Sequence, residues 1–98
     1  MSDMGDYRII YMKGRTGRPI KSQEVRVYPD GTTAFFSYNC KVAEVDEDYE
    51  VTLFNPYWNM YSQTTNRYLL RFLDNRQYPT NSIKDVRKLV NNGTYLTV

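Results

Sequence analysis

The chain is 98 residues long, with 13 basic and 11 acidic residues and no histidine. That length makes one domain with one modest core, and a hydrophobic content of 41% with 15% aromatics is too high for a disordered tail. The formal charge of +2 excludes a strongly acidic nucleic-acid mimic and falls short of the basic excess of a dedicated nucleic-acid binder.

Residues 1–6 are polar and acidic, unlike a signal peptide, and read as a flexible leader to a single domain over 1–98. Tyr7 to Met12 is rich in β-branched and aromatic residues and predicts a first strand. Lys13 to Pro19 carries two glycines and a proline and predicts a loop. Glu24 to Tyr28 alternates polar and apolar, the period of a half-buried strand. Pro29-Asp30-Gly31 then supplies turn chemistry, and Thr33 to Tyr38 is strand-like again, so a hairpin is centred on residues 29–32. Lys41–Val45 and Glu50–Phe54 predict further strand, separated by the acidic turn Asp46-Glu47-Asp48. The first of these pieces either stands alone or continues the Phe35 strand past a bend near Asn39.

Asn55-Pro56 ends the sheet, and Tyr57 to Tyr61 is an aromatic connector. Ser62, Thr64 and Thr65 are candidate N-caps for a helix whose apolar stripe is Tyr68, Leu69, Phe72 and Leu73. Residues 75–80, with Pro79, break it. Ser82 and Asp85 resemble a capping box for a second helix with Ile83, Val86, Leu89 and Val90 on one stripe, and Asn91-Asn92-Gly93 is its stop. Thr94 to Val98 has the character of a short last strand. Strands first and helices after is the order of an α+β fold. The expected architecture is an antiparallel meander of about four strands followed by two helices packed on one face.

The residue inventory offers little for catalysis. The missing imidazole removes the commonest general base and metal ligand and any Ser-His or Cys-His pair. Cys40 is the one cysteine, so no internal disulfide forms, in keeping with a reducing compartment. The acids Glu44, Asp46, Glu47, Asp48 and Glu50 lack the glycine and terminal glutamate of a calcium loop and read as a solvated turn. The expectation is therefore no enzyme, no cofactor and no metal. No apolar stretch approaches the ~20 residues of a membrane span, so the expected location is the cytoplasm.

Two binding surfaces suggest themselves. Lys13, Arg15, Arg18 and Lys21 form a basic, glycine-containing stretch that reads as a solvated connection, with three cations on a loop able to hold phosphates as the alternative. Tyr57, Trp58 and Tyr61, with Arg67 and Arg71 one helical turn apart, have the composition of a partner-binding patch. The aromatics alternatively pack the connector onto the sheet, and the arginines alternatively face water.

Between Phe36 and Leu73 the chain carries Phe36-Ser37-Tyr38, Val42-Ala43, then Tyr61-Ser62-Gln63-Thr64-Thr65-Asn66-Arg67-Tyr68 and Phe72-Leu73. In these pieces it resembles a group of small, functionally uncharacterised proteins encoded mainly by bacteriophages of Gram-positive bacteria. Asn39-Cys40 departs from the small or threonine-like residues more usual there, and the first 35 residues carry no shared motif. The motif has a folding explanation: Ser62 or Thr65 caps the helix, Tyr61 staples it, and Arg67 pairs with a carboxylate. The resemblance implies phage origin, action in the host cell and no catalytic residues. The expected function is that of a small accessory protein that binds a host or phage protein and inhibits or redirects it, a defence protein included. The alternative is a nucleic-acid-binding module. An exposed sheet edge would also permit a homodimer.

Overall fold

The structure, a computed structural model, describes residues 7–55, 57–59, 63–74 and 82–98. Its strands are β1 (Arg8–Lys13), β2 (Pro19–Val27), β3 (Thr33–Ser37), β4 (Cys40–Val45), β5 (Val51–Leu53) and β6 (Leu96–Thr97). A 3-10 turn (Tyr57–Asn59), helix α1 (Gln63–Asp74) and helix α2 (Ile83–Asn91) lie between β5 and β6. The fold is α+β, and the sheet is larger than the sequence suggests. It has six strands in the order β1-β2-β3-β4-β5-β6. The first five form an antiparallel meander, and β6 returns parallel to β5, with Leu96 beside Thr52 and Thr97 beside Leu53.

Two local features account for the difference. Near Asn39 the chain does not bend within one strand but reverses. Tyr38 (φ 51°) and Asn39 (φ 67°) both adopt the left-handed region, as a two-residue primed hairpin requires, and Ser37 faces Cys40 across it. Asparagine tolerates that region; a tyrosine there costs roughly 1–2 kcal/mol, a strain the sequence pattern conceals. Second, β2 starts at Pro19, within the stretch expected to be loop. Its pairing with β1 slips between Tyr11↔Glu24 and Met12↔Ile20. Lys21, Ser22 and Gln23 are left out of the β1 ladder, while Gln23 still faces Ser37 of β3. Lys21 is therefore a strand residue.

The pleat assigns the faces. Val25 faces Phe35, Phe35 faces Ala43, and Ala43 faces Leu53, so these share one side of the sheet. That side forms the core with Tyr68, Leu69, Phe72 and Leu73 of α1 and Val86 of α2. The Phe35 and Phe72 rings stack with centroids 5.7 Å apart. Burying each such side chain contributes about 1.5–3 kcal/mol. The α1 stripe is thus the one its periodicity predicts. In α2, the Ser82 hydroxyl accepts from the Asp85 backbone N–H at 3.3 Å, and Gly93 (φ 82°) follows the C-cap Asn92. No helix among the described residues is long and apolar enough to cross a membrane.

Candidate macromolecule-binding surface

The aromatic connector is mostly core. Trp58 is only 6% exposed and belongs to the central cluster, with Tyr57 packed half-buried against it. The indole N–H donates to Asn55 Oδ1 at 2.6 Å, which satisfies the one polar atom this ring carries inward. The expectation of Trp58 as a partner-binding residue is corrected on that ground. Tyr61 lies outside the described residues, as does Ser62.

The two α1 arginines separate. Arg71 donates to the backbone carbonyl of Lys13 at 2.5 Å and lies 5.0 Å from the Tyr68 ring centroid. It ties the end of β1 to α1 while remaining exposed. Arg67 is exposed, and among the described residues no carboxylate pairs with it. Thr64 and Thr65 lie inside the first turn of α1 and do not cap it. Thr65 instead meets Ser37: their hydroxyls are 2.9 Å apart in a buried contact.

The basic stretch holds together better. β1 ends at Lys13, and the chain turns tightly. Gly14 N–H donates to the Arg18 carbonyl at 2.9 Å, and Gly17 N–H to the Gly14 carbonyl at 3.0 Å. Gly17 sits at φ 81°, so that position calls for glycine, whereas a Cβ on Gly14 would fall 2.9 Å from the movable tip of Ile20, Cδ1. Lys13, Arg15, Arg18 and Lys21 are all exposed, and no acid occurs between Met12 and Gln23. In an antiparallel meander, alternate connections lie at the same end of the sheet. The basic turn and the Tyr38-Asn39 hairpin therefore share one end. Asp30 and the Asp46–Glu50 turn share the other, where a Cβ on Gly31 would lie 3.1 Å from Glu47 Cβ. Charge is thus segregated along the strands.

The acidic turn folds on itself. Asp46 Oδ1 accepts the Asp48 and Glu50 backbone N–H groups, each at 2.9 Å. Hydrogen bonds from the backbone and side chain of Thr32 hold the Asp30 carboxyl below its ordinary range. Among the described residues, no group of three or more His, Cys, Asp or Glu side chains is placed to hold a metal ion.

The face away from the helices carries a cluster that sequence reasoning missed. Arg26 lies with its guanidinium 3.9 Å from the Phe36 ring centroid and 4.8 Å from that of Tyr7. Glu24, itself buried, holds it through contacts of 2.7 and 2.9 Å. Burial opposes the arginine's charge, but the Glu24 carboxylate outweighs it and the guanidinium is pushed up from its ordinary value. Tyr7 also packs on Tyr28, with centroids 5.4 Å apart. Farther along, Lys41 pairs with Glu44 at 2.5 Å and lies 4.8 Å from the Phe54 ring. The alternation Glu24-Val25-Arg26-Val27 was the available signal: i and i+2 on a strand share a face.

The most open feature is β1 itself. It ends the strand order, so among the described residues one side of its backbone has no strand beside it. Ile9 is 41% exposed, Ile10 50% and Tyr11 37%. Ile9 faces Arg26 and Ile10 faces Val25, so the exposed residues stand on both faces of the sheet. A bare edge with large apolar side chains is a template for another strand.

Neither the curated proteins nor the solved structures supply a match to this chain. A family model does, over residues 7–90, taking in every element from β1 to nearly the end of α2. The chain belongs to the family of unknown function DUF8033.

Proposed function

We propose that this is a small phage accessory protein that acts in the host cell by binding another protein and inhibiting or redirecting it, with the β1 edge as its docking surface. One observation carries the reading: Ile9, Ile10 and Tyr11 stand exposed on a strand that, among the described residues, has no neighbour on its outer side. A folded domain gains nothing from large apolar side chains left on a bare edge, and natural edges are commonly blunted by charge or by a covering loop. The phage and host part rests on the motif pieces between Phe36 and Leu73. The non-catalytic part rests on a chain without histidine.

The test is affinity capture from a Gram-positive bacterial lysate treated with nuclease, comparing the wild type with Ile10→Lys. Ile10 is half exposed, so the variant should fold. The proposal expects a stoichiometric protein that the wild type retains and the variant loses; equal capture by both would refute it.

A second reading has its own observation. Lys13, Arg15, Arg18 and Lys21 gather at the same sheet end as Tyr38, which is 59% exposed on its strained turn. Cations for phosphates beside an open aromatic ring suit a single strand of nucleic acid. That reading requires a mobility shift at low salt that weakens steeply as salt is added.

A further inference from the structure

Building on the reading of β1 as the docking edge, we infer that its occupant is an acidic, extended polypeptide segment that adds to the sheet as a further strand. Three properties of the edge converge on that chemistry.

The first is the backbone. Peptide groups along a strand point alternately to its two sides, so about half of those in β1 face outward. β1 contains no proline to interrupt that row. Only another polypeptide strand supplies matching donors and acceptors along its length. A nucleic acid would leave the row unpaired, and of the three exposed apolar side chains only Tyr11 offers its bases a ring to stack on.

The second is the placement of the side chains. Ile9 and Tyr11 stand on one face and Ile10 on the other. A strand laid alongside would meet apolar surface with successive residues on both its faces, the arrangement by which added strands gain specificity.

The third is charge. Arg8 and Lys13 mark the two ends of β1, and Arg15, Arg18 and Lys21 follow. The first acid after Tyr7 is Glu24, and it is committed to Arg26. A second copy of this chain laid antiparallel along β1 would bring each Lys13 beside or diagonal to the other copy's Arg8. Like charges across strands are destabilising, and β1 holds no acid to offset them. The same cations favour a segment rich in Asp or Glu.

The test uses the full chain and four probes. They are a capped peptide alternating valine and glutamate, its lysine counterpart, the glutamate peptide N-methylated at every second amide, and an oligothymidylate of about 12 nucleotides. Backbone amide shifts locate binding, and titration gives Kd. The glutamate peptide should move the amides of Arg8–Lys13. N-methylation, or the triple substitution Lys13→Glu, Arg15→Glu and Arg18→Glu, should weaken it at least tenfold, and the lysine peptide should not bind. The inference is overturned if the N-methylated peptide binds equally or the shifts fall elsewhere. It is equally overturned if the oligothymidylate binds this edge more tightly, or if raising the protein concentration alone shifts β1, which marks a second copy. Failure of the glutamate peptide with Ile10-dependent capture intact would condemn the partner chemistry and spare the docking edge. Loss of the Ile10 dependence would condemn the edge itself.

Discussion

Ser37 and Thr65, 28 residues apart in sequence, bring their hydroxyl oxygens to 2.9 Å inside the protein. One ends β3 and the other lies in the first turn of α1. They belong to two separate pieces of the chain, Phe36-Ser37-Tyr38 and the Tyr61–Tyr68 stretch. The contact thus fastens the first helix to the sheet. Removing either hydroxyl deletes this buried hydrogen bond, at a cost of about 0.5–1.5 kcal/mol. Ser37→Ala and Thr65→Val should each lower stability by that order in urea denaturation. The double variant should lose clearly less than the sum, because both single variants delete the same hydrogen bond. Simple additivity would show that the contact contributes nothing.

Gln23 should be a liability. Its side chain is fully buried, and neither its amide nitrogen nor its amide oxygen has a partner among the described residues. It occupies the slip in β2, where the β1 ladder is missing. Gln23→Met keeps the volume and removes both polar atoms. The expected gain is about 1–2 kcal/mol by urea denaturation; a loss would mean that ordered water pairs the amide.

Asp30 carries a prediction about pH. Its carboxyl is depressed below the ordinary value of 3.8, first by the Thr32 backbone hydrogen bond. A depressed acid adds stability above its unfolded value and loses it as the pH falls through the folded one. Asp30→Asn should therefore be less stable than the wild type near neutral pH, with the difference shrinking below about pH 4. Thermal denaturation from about pH 2 to about pH 7 brackets the transition and checks this. A constant difference would detach it from the Asp30 charge.

Arg71 acts on the basic turn through the Lys13 carbonyl. Arg71→Ala should cost only about 0.5–1.5 kcal/mol overall, the net worth of one hydrogen bond. It should act locally as well, with faster amide exchange at Lys13 and Gly14 while the Val42 and Leu53 amides are unchanged. Uniform acceleration at all of them would point to global destabilisation and no local tie.

Legibility in the sequence follows the range of the interactions. The α1 stripe and the Ser82 and Gly93 caps are readable because helix periodicity and capping are local. The hairpin at residues 29–32 is readable because Asp30-Gly31 announces it. Local signals run out where a turn uses an unexpected residue. Tyr38 at φ 51° hides a chain reversal, so two strands resemble one bent strand. β6 is only Leu96–Thr97, and its parallel place beside β5 depends on contacts across most of the chain. The same holds for the binding surface. Tyr57 and Trp58 stand out as consecutive aromatics, yet a small core has use for a tryptophan that can bond Asn55. The open edge is hidden in the sequence because exposure depends on strand order, which no residue in β1 encodes.

Amide hydrogen exchange of the protein bound to its captured partner, compared with the free protein, tests most directly whether β1 is the docking strand. The amides of Arg8–Lys13 should exchange markedly more slowly in the complex, with those on the far edge at Leu96 and Thr97 unaffected. Unchanged exchange along β1, with protection arising on the helices or at the acidic turn, would contradict it.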